Sequence, residues 1–196
     1  MSIIINRLEL GFLGVNTYFL IDKNLKKTII TDPGGNGEEI IKFIKENGLF
    51  VEMIINTHGH PDHTEANEFL QRAFCAPVLI HKNDADLFGV KYDHEIKEGD
   101  TIDFAGAKIK VIETPGHTPG SVCLLFNNIM LTGDTLFYGS IGRTDFGGDG
   151  DVMMQTLAYK FKDIPGETIL YPGHGPETTM ADERKHNPFL IKAESI

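Results

Sequence analysis

Four times in this chain a short apolar run stops at a turn marked by Gly or Pro that carries a histidine or an aspartate. Met53-Ile54-Ile55 leads into Thr57-His58-Gly59-His60-Pro61-Asp62-His63. Val111-Ile112-Glu113 leads into Thr114-Pro115-Gly116-His117, and Ile129-Met130-Leu131 into Thr132-Gly133-Asp134. Ile169-Leu170-Tyr171 leads into Pro172-Gly173-His174. Apolar runs of this length, bounded by Gly and Pro, read as buried strands. Five histidines and two aspartates therefore fall at strand ends, a common place for ligands and chemistry in α/β proteins. Imidazole and carboxylate donors without nearby thiolates make a ligand set for zinc or another divalent cation. His81, His94 and His186 lack this setting and read as structural or surface residues.

The rest of the chain supplies the scaffold. Ile3–Leu10, Asn16–Asp22 and Thr28–Asp32 read as strands, the last stopped by Pro33-Gly34-Gly35. Asn36 and Glu39 have the spacing of a capping box, opening a helix with Ile40, Ile41 and Ile44 on one face that ends at Gly48. After the strand Val51–Ile55, a helix is expected from near Asp62, with Ala66, Phe69, Leu70 and Phe74 inward. Pro77–Ile80 reads as a strand and Asn83–Phe88 as a short helix. Further strands are expected at Thr101–Phe104, Lys108–Glu113, Ser121–Phe126, Ile129–Leu131 and Thr168–Tyr171. A helix is expected around Val152–Phe161, and a helical tail from Glu177 to Pro188. Strands cluster in each half with helices between them, which suggests two sheets packed face to face with helices outside. No linker or repeat interrupts residues 1–196, so one domain is expected.

Composition narrows the partners. The formal net charge of -10 and pI near 5.2 disfavour a nucleic-acid surface and anionic lipid. No apolar run approaches a membrane span, and the first residues lack a signal-peptide pattern. A cytoplasmic protein acting on a small molecule is expected, with oligomeric state left open. Cys75 and Cys123 form no C-x-x-C and are expected to be small buried hydrophobes.

The H-x-H-x-D-H pattern at 58–63 resembles the metallo-β-lactamase fold superfamily. Within it the chain looks like the short glyoxalase II-like hydrolases. Thr-Pro-Gly-His-Thr-Pro-Gly-Ser at 114–121, Thr-Gly-Asp-Thr-Leu-Phe at 132–137 and Gly-Ser-Ile-Gly-Arg-Thr-Asp-Phe at 139–146 carry that likeness. So do Tyr-Pro-Gly-His-Gly-Pro at 171–176 and Glu-Arg-Lys-His-Asn-Pro-Phe at 183–189. The resemblance implies an α/β fold: a four-layer αβ/βα sandwich of two mixed sheets with outer helices. It implies that His58, His60 and His117 bind one metal, that Asp62, His63 and His174 bind another, and that Asp134 bridges them. Asp32 matches a position near the site that orients a ligand histidine; it also reads as a turn-forming Asp before Pro33.

The reaction implied is hydrolysis of a thioester, S-lactoylglutathione or a related acyl-thiol, by a metal-bridging hydroxide. Two divalent ions serve as cofactors, zinc first, with iron or manganese compatible with the same ligands. Asp62 and Asp134 are the carboxylates nearest the chemistry, committed as ligands rather than as the general base. Arg143 has two readings, a clamp on a substrate carboxylate or an ion pair with Asp145. Phe137, Tyr138 and Phe146 are candidates to line the pocket. Full-length glyoxalase II enzymes carry a C-terminal helical domain that supplies part of the glutathione site, so a different acylated thiol is also open. The alternative is a persulfide dioxygenase holding one iron on His58, His117 and Asp134, since those enzymes share a Gly-Arg-Thr-Asp-Phe segment like 142–146.

Overall fold

A computed structural model describes residues 3–193 and Ser195. Strands β1 (Ile3–Leu10), β2 (Val15–Asp22) and β3 (Lys27–Thr31) form an antiparallel meander. Helix α1 (Gly37–Asn47) then crosses to β4 (Phe50–Ile55), which runs parallel to β3. Helices α2 (Pro61–Thr64) and α3 (Asn67–Phe74) lead to β5 (Val78–Ile80), and α4 (Lys82–Phe88) leads to the two-residue β6 (His94–Glu95). These strands make one sheet in the order β1-β2-β3-β4-β5-β6.

The second half repeats the plan. Strands β7 (Thr101–Phe104), β8 (Ala107–Glu113), β9 (Val122–Phe126) and β10 (Ile129–Gly133) are antiparallel neighbours. Helix α5 (Gly150–Lys160) crosses to β11 (Ile169–Pro172), which is parallel to β10. Strand β12 (Thr178–Thr179) and helices α6 (Met180–His186) and α7 (Pro188–Ala193) follow. The second sheet runs β12-β11-β10-β9-β8-β7.

Side-chain alternation along the strands builds the layers. In β2, Tyr18 and Leu20 point into the seam between the sheets, where they meet Ile109, Val111, Leu124 and Leu131. Phe19 and Ile21 point the other way, onto Ile40 and Ile44 of α1 and Leu70 of α3. On the far side, Cys123, Met130 and Leu170 pack on Met153 and Leu157 of α5 and Leu190 of α7. The result is helix, sheet, sheet, helix: the expected four-layer αβ/βα sandwich.

Several local expectations are corrected. The helix expected from Asp62 is two helices broken at Glu65-Ala66. Of its expected inner face, Ala66 and Leu70 are buried but Phe69 is exposed. Asn36 makes no side-chain cap; its amide donates to the Glu39 carboxylate at 2.8 Å instead. Cys75 is exposed, in a left-handed conformation that ends α3, whereas Cys123 is buried as expected. Pro188 starts α7 rather than ending a helical tail, a position where its missing N–H costs nothing. Strands β6 and β12 have only two residues each and left no readable pattern.

Candidate metal centre

Parallel pairing brings the ligand-bearing loops to one edge of the sandwich. In the first sheet, Thr31 of β3 pairs with Ile55 of β4, so Asp32 and the histidine-rich loop emerge side by side. In the second, β10 and β11 emerge together, carrying Asp134 and His174. The turn after β8 adds His117.

The seven side chains converge in three overlapping groups: His58, His60 and His117; His58, His63 and Asp134; and Asp62, His63 and His174. Within each group the ligand atoms lie within 4.8 Å of one another. Asp134 faces both ends. Its Oδ2 lies 3.5 Å from His117 Nε2 and 3.5 Å from His174 Nε2, and its Oδ1 lies 3.4 Å from His63 Nε2. Asp62 Oδ2 lies 3.5 Å from His174 Nε2 and 3.8 Å from His63 Nε2.

Four histidines are held at one ring nitrogen by an oxygen, with the other ring nitrogen available to the cluster. His58 Nδ1 meets the Thr57 hydroxyl at 3.1 Å, and that hydroxyl donates to Asp32 Oδ2 at 2.7 Å. His60 Nε2 donates to the Phe146 carbonyl at 3.0 Å. His117 Nδ1 donates to the Arg143 carbonyl at 2.6 Å, and His174 Nδ1 to the Leu13 carbonyl at 3.1 Å. The fifth, His63, has its buried Nδ1 3.3 Å from Asp32 Oδ2, an ion-pair approach without a hydrogen bond. Such outer contacts fix the tautomer and aim of metal-binding histidines.

What remains inside is a set of orphans. His58 Nε2, His117 Nε2 and Asp134 Oδ1 are buried without a hydrogen-bond partner. Buried polar atoms are normally satisfied, and leaving several unpaired in one spot is costly. Two divalent cations fit this donor set of neutral imidazoles and two carboxylates, one on His58, His60 and His117, the other on Asp62, His63 and His174. These are clusters of the kind found in dinuclear metal sites.

Electrostatics without metal point the same way. Burial works to lower the His63 pKa, but Asp134, Asp32 and Asp62 around it outweigh burial and raise it to about 9. Burial would raise Asp62, but His174 and His63 hold it at about 2. Burial, then the neighbouring histidines, push His58 well below its ordinary value. Burial also lowers His117, against the opposing pull of Asp134.

Asp32 carries both of its sequence readings at once. It is a buried residue in the left-handed region, φ 47°, at the end of β3. Its carboxylate also accepts the Thr57 amide at 2.7 Å, tying β3 to the histidine loop.

Three other buried residues support the site, and none was singled out from the sequence. Asp84 accepts the Gly59 amide at 2.8 Å, the Thr118 hydroxyl at 2.6 Å and the Gly120 amide at 2.6 Å. It thus joins the His58–His60 loop to the His117 loop. Asn56 donates to the His63 carbonyl at 3.0 Å. Asn16 donates to the carbonyls of Pro172 and Gly175 at 2.9 and 2.8 Å, holding the His174 turn. A short polar residue on a strand or helix reads as ordinary surface in a sequence; only the fold shows that these are buried.

Two glycines allow the approach of the loops. A Cβ on Gly142 would strike the Asp134 carbonyl and come within 2.7 Å of His117 Nδ1. A Cβ on Gly173 would strike the Asp134 carboxylate and come within 2.7 Å of the His63 ring.

The cluster opens into a cleft of about 830 Å³. Phe137, Phe146 and Arg143 line it, and Phe146 also stacks on His60 at 5.0 Å. Tyr138 does not line it; it borders a separate depression with Glu183 and His186. The Arg143 side chain is exposed and paired with Asp145, Nε to Oδ1 at 2.7 Å and an Nη to Oδ2 at 3.0 Å. Asp145, two residues away, takes the guanidinium fork, which is the ion pair of the second reading. His81 is structural: it caps α4 through Nδ1 and meets Glu113 through Nε2. His94 and His186 are exposed.

Comparison with known proteins agrees with this geometry. Residues 10–174 match the family described as the Metallo-beta-lactamase superfamily. The chain is 34% identical to "Probable metallo-hydrolase YqgX" of Bacillus subtilis, covering 94% of this chain and 96% of that protein. It is 32% identical to "Hydroxyacylglutathione hydrolase GloC" of Haemophilus influenzae, covering 87% and 91%. Among solved structures, the BLEG-1 B3 metallo-beta-lactamase superposes with a TM-score of 0.88 at 33% identity, covering 95% of this chain and 99% of the other. ETHE1 from Myxococcus xanthus superposes at 0.87 with 27% identity, covering 97% and 90%. TTHA1623 in a di-iron-bound form superposes at 0.81 with 30% identity, covering 94% and 99%.

Proposed function

This chain belongs to the metallo-beta-lactamase superfamily, and from that premise we propose that it is a dinuclear metal-dependent hydrolase of thioesters, of the glyoxalase II type. One observation carries the reading: two triads of ligand atoms lie on either side of Asp134, whose two oxygens face them both. Hydroxyacylglutathione hydrolase activity in the name of the Haemophilus relative supports the choice of a thioester.

When bound, two divalent ions supply an activated water near neutral pH and a Lewis acid for a carbonyl oxygen. The protein supplies everything that positions them. Asp62 and Asp134 bring the negative charge that lets two cations sit close together. The carbonyls of Phe146, Arg143 and Leu13 hold His60, His117 and His174 each by one nitrogen, leaving the other as a donor. Phe137 and Phe146 line the cleft beside the cluster. No acid is needed for the leaving group, since a thiol near pKa 8.5 departs readily as thiolate. Zinc is the proposed metal, with iron or manganese served by the same ligands, and the substrate is a small molecule met in the cytoplasm.

Elemental analysis per chain, paired with an S-lactoylglutathione assay, tests the reading. About two metals with measurable hydrolysis is the expected result. A single iron, no hydrolysis, and oxygen consumption with glutathione persulfide would replace it with the dioxygenase reading.

A further inference from the structure

We propose that β1 is an interface strand: two copies of this chain pair antiparallel along it, about a two-fold axis at Leu8, and join their first sheets into one. Of the four sheet edges, three are short. β6 and β12 have two residues each and β7 has four. β1 has eight, Ile3–Leu10. Among the described residues, its backbone makes no hydrogen bond except in the β2 ladder. A strand paired on one side only leaves a row of N–H and C=O groups on the other.

Proteins blunt such edges with proline, lysine or a bulge. β1 contains no proline and no lysine. Its pairing with β2 runs from Ile3↔Asp22 to Leu10↔Val15 with no shift of register, so no bulge bends it away. It opens with three β-branched residues, Ile3, Ile4 and Ile5, the type that packs well on a pleated surface. A long, straight, apolar edge is a template for another strand.

Geometry and charge identify that strand as a second β1. The outward backbone groups of a strand recur at every second residue. In a two-fold antiparallel pair they meet their counterparts only when the axis falls on a residue, not between two. Arg7 and Glu9 are the charged residues of β1. An axis at Arg7 or at Glu9 sets like charges against each other, which is unfavourable. An axis at Asn6 sets Arg7 against Ile5 and Glu9 against Ile3. Only an axis at Leu8 sets Arg7 of each copy against Glu9 of the other, with Asn6 opposite Leu10. Both charges are exposed and neither has an ion-pair partner among the described residues. Arg7 donates one Nη to the Gly175 carbonyl at 3.2 Å, beside the turn that carries His174. The charges choose the register, whereas the backbone ladder and its apolar neighbours supply the hold. The assembly closes at two copies, because the opposite edge of the sheet is the two-residue β6.

Sedimentation equilibrium of the full chain, from low to high micromolar concentration, tests the pairing. The mass should climb from that of a monomer toward twice that value. Arg7→Glu turns two attractive pairs into two repulsive ones and should weaken association at least about tenfold. The double variant Arg7→Glu with Glu9→Arg restores opposite charges and should recover it. The register is read by cross-linking in a Cys75→Ser background, since Cys75 is exposed. Leu8 faces its own copy across the axis with Cα atoms about 4.5–5.5 Å apart, within the span of a disulfide. Leu8→Cys should therefore cross-link on oxidation. Asn6→Cys should not, because the two copies of Asn6 lie about 13 Å apart along the strands. A monomer at every concentration would overturn the proposal, leaving the edge free or open to a different strand. So would a dimer that ignores Arg7→Glu and does not cross-link at Leu8, or one that cross-links at Asn6 instead.

Discussion

The carboxylate of Asp84 accepts the hydroxyl of Thr118, 34 residues after it, at 2.6 Å and the amide of Gly59, 25 residues before it, at 2.8 Å, and so links two loops. With the Gly59 and Gly120 amides it holds the loops that carry His58, His60 and His117. It touches nothing of the Asp62–His63–His174 group. Asp84→Asn puts an NH2 where a donor already points, so the first group should loosen while the second keeps its metal. The expected result is a drop from about two metals per chain toward one, with a weakening of at least about tenfold, the size of one lost charge-assisted bond. Cobalt titration followed by absorbance reads the two sites separately. Two ions bound with wild-type affinity would show that Asp84 positions nothing.

Among the described residues, Asp134 is the one carboxylate within reach of both groups. Asp134→Asn keeps the shape but removes the charge and one acceptor oxygen. Metal content should fall below two per chain and thioester turnover by orders of magnitude, since the two Asp134 oxygens face the histidines of both groups. Full activity with both metals retained would contradict the bridging role.

The Arg143 region offers a contrast between backbone and side chain. The Arg143 carbonyl holds His117, whereas its guanidinium holds Asp145. Arg143→Ala should therefore leave metal content unchanged and stability almost so, because exposed ion pairs contribute little. Gly142→Ala drives a methyl into the Asp134 carbonyl and the His117 ring. It should lower metal content and cost about 1–3 kcal/mol from overpacking. Metal analysis and urea unfolding of the two variants check the difference, and equal behaviour would show that the carbonyl contact is incidental.

Metal-free protein should show a stability maximum near pH 6.5. His63 has a folded pKa near 9, above its ordinary 6.5. Its contribution is complete below pH 6.5 and lost as pH rises toward 9, because over that range the folded state holds a proton that the unfolded state has released. His58 has the opposite sign. Its pKa is pushed well below 6.5 by burial and by neighbouring histidines, so stability falls as pH drops below 6.5 and the unfolded state takes the proton. Bound metal requires both rings neutral, so it should flatten the alkaline limb. Urea midpoints of chelated and metal-loaded protein from pH 5 to 9.5 test this. An alkaline limb of the same slope in both forms would rule it out.

The strands that carry the site were legible because each ends abruptly. Ile54-Ile55 and Met130-Leu131 are apolar runs that stop at Gly or Pro, and a run that stops at a histidine announces both the strand and the ligand. The helix break at Glu65-Ala66 was not legible, because nothing in Thr64-Glu65-Ala66-Asn67 disfavours a helix; the chain bends there so that α2 can offer Asp62 and His63 to the cluster while Leu70 of α3 stays in the core. Cys75 misled for a similar reason. Its apolar neighbours imply burial, but the turn that ends α3 points it outward.

The amino-acid sequence by itself picked out seven side chains of metal-binding type and the strands that lead to them, because residue type and local periodicity are one-dimensional properties. Tertiary structure alone decided that Asp134 stands between two groups of ligands, that Asp84 joins two loops, and that the Arg143 carbonyl meets His117 while its guanidinium pairs with Asp145. Those relationships depend on which strands pair in parallel and which loops meet at one edge, and no local pattern encodes the distance between residues that are far apart along the chain.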